Sequence, residues 1–246
     1  MAQNIYDDPE FFDRYVQFPR QQLGLDGAAE WPLVRSLLPP MSGTRVVDLG
    51  CGFGWFARWA VAAGAASVLG IDASQRMLDR ANHDSASDVS NGTIRYLRGD
   101  LDGIDLGSAN FDVAYSSLTL HYIVDLEGLF ATVRRSLVDG ATLLYTAEHP
   151  IFTAPTIDRS VDVEGTSVWP LDRYSDEGQR TRNWLSDGVI KQHRTVATQI
   201  NALINNGFVI DHIAEFGPNE AIVEAEPAFV IDRERPAFLI VKASAA

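Results

Sequence analysis

Short apolar runs alternate with amphipathic segments over most of the first 150 residues of the chain. Apolar runs of strand length lie at residues 45–49, 67–72, 93–100, 111–117 and 141–149. Segments with apolar residues at helical spacing lie between some of these runs, at residues 55–64, 74–82 and 126–137. Strands that alternate with helices in this way predict a parallel sheet with helices on both faces.

This alternation stops at Pro150. Residues 150–192 are rich in Pro, Gly, Asp, Arg, Trp and Tyr and show no clean periodicity. A structureless loop of this length is unusual in a compact domain and commonly serves as a lid or a binding element. A helix is then predicted up to Gly207, followed by a closing strand pair at residues 209–216 and 236–243 that is joined by a long hairpin loop.

The length of 246 residues fits one α/β domain with an elaboration. We expect N-terminal cap helices over residues 1–43 and a ligand-binding core over residues 44–149. A lid or substrate insertion is expected over residues 150–192, and a C-terminal helix with the strand pair over residues 193–246.

Composition limits the partners that the chain is expected to have. The formal net charge is −13 and no basic run occurs, whereas proteins that bind nucleic acid or anionic membranes carry surfaces rich in Lys and Arg. No apolar run is long enough to span a bilayer. The only cysteine is Cys51, which excludes an intrachain disulfide and favours a reducing compartment. We expect a cytoplasmic monomer or homodimer that binds neither nucleic acid nor membranes.

Candidate chemistry begins at the end of the first predicted strand. Asp48 is followed by Gly50, Gly52 and Gly54 in a G-x-G-x-G turn that leads into a helix. Glycines allow a tight turn and a close approach of the backbone to a ligand. Dinucleotide-binding enzymes use G-x-G-x-x-G, in which the third glycine lets the helix pack against the strand. Trp55 occupies that position here, which disfavours a pyrophosphate ligand.

Two further carboxylates end the second and third predicted strands. Asp72 and Asp100 are placed with Asp48 at the carboxyl edge of the sheet, where ligands of open α/β sheets bind. Three acids would repel a pyrophosphate but suit a ligand with an ammonium, a sulfonium, a ribose and an adenine amino group. S-adenosylmethionine (SAM) has all four groups. Each acid has a structural alternative, because Asp48 and Asp72 could cap helices and Asp100 could form a turn.

These motifs resemble those of class I SAM-dependent methyltransferases of the bacterial small-molecule type. The resemblance covers roughly residues 44–148 and is carried by the segments VVDLGCGFGWFARWA, VLGIDASQRML, YLRGDLDGI and FDVAYSSLTLHYIVDL. It implies a Rossmann-like, doubly wound, seven-stranded sheet with its last strand antiparallel. It also implies methyl transfer from SAM to an O, N or C acceptor of a small molecule, leaving S-adenosylhomocysteine (SAH).

The resemblance also implies a set of cofactor-binding residues. Asp72 is expected to bind the ribose hydroxyls, and Asp100 the adenine amino group beside the backbone N–H of Leu101. The remaining implied positions are Asp48, Gly50, Cys51, Gly52, Ser116 and Ser117 at the methionine end, Ala73 and Met77 at the adenine, and Tyr15 and Arg20 in the N-terminal cap. Cys51 is interpreted as a small packed residue rather than a nucleophile. We assign no metal ligands.

Two histidines are candidates for orienting or deprotonating the acceptor, since histidine titrates near neutral pH. His121 follows the fourth predicted strand. His149 ends the fifth, and Pro150 keeps it extended. Glu148 and His149 are therefore expected to face the mouth of the site or the base of the lid, with Glu148 orienting the ring. The alternatives are that His121 is a packed core residue and that His149 caps the strand.

An aromatic acceptor pocket is predicted from the cap and the insertion, because pockets are mostly apolar with a few polar anchors. The candidates are Tyr6, Trp169, Tyr174, Arg182, Trp184 and His193. The structural alternative is that these side chains only hold the insertion on the core. Two other functions stay open at this point: a SAM-binding protein without turnover, and a nucleotide-dependent oxidoreductase.

Overall fold

The computed structural model describes residues 3–157, 159–225 and 227–246. We name its strands in chain order: β1 Arg45–Leu49, β2 Ser67–Asp72, β3 Ile94–Arg98, β4 Phe111–Ser117, β5 Leu137–Glu148, β6 Val161–Val163, β7 Thr166–Val168, β8 Gly178–Trp184, β9 Ser186–His193, β10 Phe208–Phe216 and β11 Phe238–Ala245. The α-helices are α1 Pro9–Tyr15, α2 Pro19–Gln22, α3 Trp31–Leu37, α4 Trp55–Ala62, α5 Gln75–Asp84, α6 Ala86–Ser90, α7 Leu126–Ser136, α8 Pro150–Thr153, α9 Val196–Asn205, α10 Glu220–Ala225 and α11 Val230–Glu234.

A seven-stranded sheet in the order β10-β11-β5-β4-β1-β2-β3 forms the centre of the molecule. Strands β1 to β5 run parallel to one another. The last strand, β11, is antiparallel to both β5 and β10. The predicted doubly wound, Rossmann-like sheet with an antiparallel last strand is therefore confirmed.

Two apolar cores cover the two faces of this sheet. Val47 and Leu143 point into a core completed by α7 and α9. Their neighbours Val46 and Leu144 point the opposite way, into a core completed by α3 and α4. Burial on both faces explains why these strands are nearly continuous apolar runs in the sequence. It leaves the strand ends as the place where polar groups can meet a ligand.

The insertion, whose sequence shows no clean periodicity, contains helix α8 and two antiparallel hairpins, β6-β7 and β8-β9. Strand β9 escaped the sequence pattern because two of its inward-facing positions are Lys191 and His193, both buried. His193 therefore ends a strand rather than starting the next helix, which begins at Val196 after the N-cap Thr195. The predicted loop between β10 and β11 likewise contains α10 and α11.

The N-terminal segment folds as short helices across the carboxyl ends of the strands. Asp8 caps α1 by accepting a hydrogen bond from the Phe11 N–H at 2.9 Å. Within the described residues, no helix combines the length and apolar character needed to cross a bilayer.

Candidate active site

The glycine turn after β1 is held against β2. Gly50 and Gly52 have positive φ angles of 80° and 52°, and a Cβ at Gly50 would lie 2.0 Å from the Thr119 Oγ1. The backbone N–H groups of Gly50 and Cys51 both donate to the Ile71 carbonyl, at 2.8 and 2.9 Å. Glycine is therefore required at residue 50 by both the backbone conformation and the space.

Asp72 is fixed at the end of β2 by the backbone. Its Oδ2 accepts from the Gly52 N–H and its Oδ1 from the Ser74 N–H, each at 2.9 Å. Burial raises the pKa of this carboxyl above its ordinary value, against the effect of these two hydrogen bonds. Because each carboxylate oxygen has two lone pairs, both oxygens keep acceptor capacity for a ligand.

Asp48 lies beneath the turn and is almost completely buried, with 2% of its surface exposed. Its Oδ2 has no hydrogen-bond partner within the described part of the chain. Burial, and then the nearby charge of Asp72, raise the pKa of Asp48 to about 8. An orphaned buried carboxylate fits a ligand that brings positive charge to this turn, as SAM does.

A cavity of about 620 Å³ runs along these strand ends. Its wall includes most of the positions implied for the cofactor: Gly50, Gly52, Asp72, Ala73, Met77, Asp100, Leu101, Ser117, Tyr15 and Arg20. Asp100 holds its own turn by accepting from the Asp102 N–H at 3.1 Å. Asp100 therefore both forms a turn and lines the cavity.

Three implied cofactor positions are not in the wall: Asp48, Cys51 and Ser116. The Ser116 hydroxyl is fully buried and donates to the Leu49 carbonyl at 2.8 Å. Successive side chains of a strand point to opposite faces, so Ser117 lines the cavity and Ser116 does not. Cys51 is buried, and burial raises the pKa of its thiol well above the ordinary value, which agrees with a packed residue.

The N-terminal segment closes the cavity on the side of β2. The Asp7 Oδ1 accepts from the Ser74 hydroxyl at 2.6 Å and from the Arg76 N–H at 3.1 Å. The Asn4 amide donates to the Ala73 carbonyl at 3.3 Å. Asn4 and Asp7 are not predicted from the sequence, because no periodicity marks these contacts with residues about 70 positions away.

His149 does not line the cavity and lies instead at the base of the insertion, the second of its two expected positions. Its Nδ1 accepts from the Ile151 N–H at 3.2 Å and its Nε2 lies 2.8 Å from the Glu215 Oε1 on β10. The ring thereby caps α8, close to the structural alternative. Glu148 lines the cavity instead, because adjacent side chains at a strand end point in opposite directions.

His121 lines the cavity beside Glu148. Its Nδ1 accepts from the Glu148 N–H at 3.4 Å, and burial lowers the pKa of His121 to about 4. Burial opposes ionisation of Glu148, but His121 and Lys191 outweigh it and lower the pKa of this carboxyl. The Lys191 ammonium donates to the Glu148 Oε1. Near neutral pH the imidazole is therefore uncharged, and its proton lies on Nε2.

Tyr6 and Trp184 belong to a cluster of aromatic side chains that forms part of the cavity wall, called the aromatic wall below. Tyr6 contacts Tyr15 edge-on at 5.0 Å between ring centroids, and its hydroxyl lies 3.1 Å from that of Tyr122. Trp184 contacts Tyr15 edge-on at 6.3 Å and stacks on Phe18 at 6.1 Å. Tyr122 and Phe18 also line the cavity, and neither is predicted from the sequence pattern.

The other four residues predicted for the acceptor pocket do not line the cavity. Arg235 lies over the Trp169 ring, 4.1 Å from its centroid. The Tyr174 carbonyl lies 2.9 Å from the His193 Nε2, and Arg182 donates to two carbonyls of the insertion. Trp169 thus joins the insertion to the segment after α11, as the structural alternative stated. These contacts of Tyr174, Arg182 and His193, by contrast, lie within the insertion itself.

Comparison with known proteins agrees with this geometry. Residues 47–145 match the family model described as a methyltransferase domain. A crystal structure of a SAM-dependent methyltransferase from Mesorhizobium loti is 49% identical, with a TM-score of 0.83, and the match covers 90% of this chain and 100% of that one.

Two further relatives also match over most of the chain. A structure from Listeria monocytogenes, assigned to the same enzyme type, is 36% identical with a TM-score of 0.79, covering 89% of this chain and 99% of that one. An uncharacterized protein of Haemophilus influenzae is 33% identical over 217 residues, 86% of this chain and 85% of that protein. With the glycine turn, the acids at the strand ends and this similarity, the chain belongs to the SAM-dependent methyltransferases, and SAM is its cofactor.

Proposed function

We propose that this enzyme methylates a small, planar or apolar molecule that binds between the SAM site and the aromatic wall. The observation that carries this proposal is that one cavity is lined both by Gly50 and Asp72 of the cofactor edge and by the aromatic side chains of Tyr6, Tyr122 and Trp184. Aromatic walls bind apolar ligands by burial and by ring stacking. The tyrosine hydroxyls supply the few polar anchors that orient such a ligand.

In this proposal the cofactor lies along the strand ends. Asp72 accepts from the ribose hydroxyls and Asp100 from the adenine amino group, with Ala73 and Met77 bordering the ring. The methionine end lies by the backbone of Gly50 and Gly52, and Arg20 binds its carboxylate. The Asp48 carboxyl, whose pKa is raised to about 8, ionises when a cationic group of the ligand binds nearby and then stabilises that group. The support for this orientation is the strand order β4-β1-β2-β3, which sets the ends bearing Ser117, Gly50, Asp72 and Asp100 in that order along the sheet edge.

When bound, SAM supplies a methyl group that is already activated by the sulfonium. The protein residues therefore contribute alignment and exclusion of water, which can be worth on the order of 7–11 kcal/mol. We assign His121 to orienting the acceptor through its Nε2–H, since its Nδ1 is occupied by the Glu148 N–H. A ring whose pKa is lowered to about 4 is a poor base for a hydroxyl acceptor.

The cofactor orientation is tested by titration calorimetry with SAH, with NAD run in parallel. Asp72→Asn is expected to weaken SAH binding tenfold or more, because two charge-assisted hydrogen bonds are lost. Asp13→Asn is the control, since Asp13 is exposed. Unchanged SAH affinity in Asp72→Asn would contradict the assignment.

The acceptor class is tested with SAM that carries a labelled methyl group. The enzyme is incubated with pools of small planar phenols, carboxylic acids and amines, and separately with total RNA and with protein. Transfer of label into a small molecule supports the proposal. Transfer into RNA or protein alone would overturn it.

A further inference from the structure

Glu30, the buried partner of Arg20 in an ion pair of the cavity wall, has no role in the assignments above. Arg20 and Glu30 both line the cavity, and the Arg20 Nη2 lies 2.5 Å from the Glu30 Oε1. Glu30 is 2% exposed, and its Oε2 has no partner among the residues that the structure describes. Glu30 is also the N-cap residue of α3, yet its side chain makes no capping hydrogen bond.

The fold brings these two residues together by a tight turn. A Cβ on Gly27 would lie 2.4 Å from the Pro19 carbonyl oxygen, so the start of α2 packs directly on the backbone that precedes α3. Glu30 reaches Arg20 across this contact, and both residues line the cavity. The Glu30 carboxylate thus binds Arg20 instead of capping its own helix.

The pair lies at the methionine end of the proposed cofactor site. Tyr115 on β4 is opposite Asp48 on β1 in the sheet register, and the charges of Glu30, Asp48 and Arg20 all act on its hydroxyl. Arg20 also lies 5.8 Å from the centroid of the Phe238 ring on β11. Strand β3, which precedes Asp100, is at the far edge of the sheet.

We infer that Glu30 is a positioning residue that holds the Arg20 guanidinium in place for the carboxylate at the methionine end of SAM. This inference rests on the proposed role of Arg20. A guanidinium has five N–H donors in a fixed planar arrangement. Because Glu30 binds the Arg20 guanidinium through Nη2, other N–H donors of the group stay available for the ligand. Holding the group in advance reduces the entropy lost on binding.

A purely structural role for the ion pair makes a different prediction. If the pair only stabilises the N-terminal cap, its loss weakens every ligand of the cavity to a similar degree. If it positions Arg20, the loss is confined to ligands that carry the amino-acid end. Methylthioadenosine separates the two roles, because it keeps the adenosine and the sulfur of SAH and lacks the carboxylate and the ammonium.

The experiment is titration calorimetry of SAH and of methylthioadenosine against four proteins: wild type, Glu30→Gln, Arg20→Gln and the control Glu127→Gln, whose glutamate is exposed on α7. Glu30→Gln is expected to weaken SAH about tenfold while methylthioadenosine stays within twofold, since one charge-assisted interaction is lost indirectly. Arg20→Gln is expected to weaken SAH by at least as much. Glu127→Gln is expected to change neither affinity.

Each outcome is decisive. Equal weakening of both ligands in Glu30→Gln would overturn the inference in favour of a structural role. A changed affinity ratio in Arg20→Gln but not in Glu30→Gln would overturn it while the role of Arg20 stands. An unchanged ratio in Arg20→Gln would overturn the role of Arg20 itself. If Glu30→Gln does not fold, Glu30→Asp keeps the charge and shortens the side chain, and the same selective loss of SAH affinity is expected.

Discussion

His121 shows how burial changes the chemistry that a residue type suggests in a sequence. Histidine attracts attention as a base because its ordinary pKa is close to neutral. In this site burial lowers the pKa of His121 to about 4, and the Glu148 N–H occupies its Nδ1. The residue keeps a hydrogen-bond donor for the acceptor but has little capacity to remove a proton from it.

This shift predicts a pH dependence of stability. Because the pKa of His121 is lower in the folded state than its ordinary value of about 6.5, the unfolded chain binds more protons between those values. The neutral His121 ring therefore makes its full contribution to the free energy of unfolding above pH ~6.5, and this contribution is lost as the pH falls towards 4. From pH 7 to pH 5, the unfolding free energy of wild type is expected to fall by about 2 kcal/mol more than that of His121→Asn.

Urea denaturation at the two pH values measures this difference. His83→Asn is the control, because the His83 side chain is 83% exposed, and it is expected to follow wild type. Parallel pH dependence in wild type and His121→Asn would contradict the assigned burial of the neutral ring.

Asp48 predicts a proton linkage to cofactor binding. Its carboxyl, with a pKa raised to about 8 by burial and by Asp72, is largely protonated at pH 7. A ligand ammonium beside it would lower that pKa, so SAH binding is expected to release a fraction of a proton at pH 7. Calorimetry in buffers of different ionisation enthalpy measures this release. Asp48→Asn and methylthioadenosine should both abolish it, and release that persists in the variant would exclude Asp48 as its source.

Among the contacts between elements, hydrogen bonds to Asp7 attach the N-terminal segment to helix α5. Asp7 accepts hydrogen bonds from Ser74 and Arg76 at the start of α5, beside the ribose-binding Asp72 of the proposal. Asp7→Asn is expected to weaken this attachment by about 1 kcal/mol, and so to speed SAH dissociation about fivefold. Stopped-flow displacement measures the rate, with Asp13→Asn as the control. An unchanged dissociation rate would mean that cofactor exit does not require this segment to move.

Hairpin β8-β9 contributes to the cavity through Trp184, whereas Trp169 lies elsewhere in the same insertion. Both tryptophans are half-buried, so they form a matched pair. Trp184→Ala is expected to raise the KM of the acceptor about tenfold, through loss of roughly 1–2 kcal/mol of apolar contact. Trp169→Ala is expected to lower stability with little effect on that KM. Similar KM values in the two variants would remove Trp184 from the acceptor site.

At the scale of the whole molecule, the cavity is enclosed by parts of the chain that are far apart in sequence. The strand ends, the N-terminal segment and the insertion each supply part of its wall. A ligand that contacts all of them binds the folded chain only, and stabilises it by mass action. SAH at 100 times its dissociation constant is expected to add ~2.7 kcal/mol, which raises the Tm by about 5–10 °C in a chain of this size.

Differential scanning calorimetry over a series of SAH concentrations measures this effect. The expected rise in Tm is logarithmic in SAH concentration above the dissociation constant. A Tm that does not depend on SAH concentration would contradict binding in this enclosed cavity.

The sheet and the cofactor edge follow from local sequence patterns. Segments of strand length predict β1 to β5. The inner strands are rich in apolar residues because both of their faces are buried, whereas the edge strand β3 has only Ile94 buried. Gly50 adopts a positive φ angle that other residues rarely adopt, so a glycine pattern marks the turn. Asp72 and Asp100 end parallel strands, and the ends of parallel strands meet at one edge. The positions of these acids are therefore predictable from strand periodicity and residue type.

Only the tertiary structure decided which side chains face the cavity and which partners they have. Glu148 and His149 are adjacent, and the direction of each at the end of β5 depends on β11 and the insertion, which pack there. Lys191 reaches Glu148 across 43 residues, and Asp7 reaches Ser74 across 67. The sequence by itself determined the sheet, the glycine turn and the acids at its edge, because these depend on backbone periodicity. Which side chains line the cavity depends on contacts between segments that are distant in sequence, and local sequence patterns do not predict such contacts.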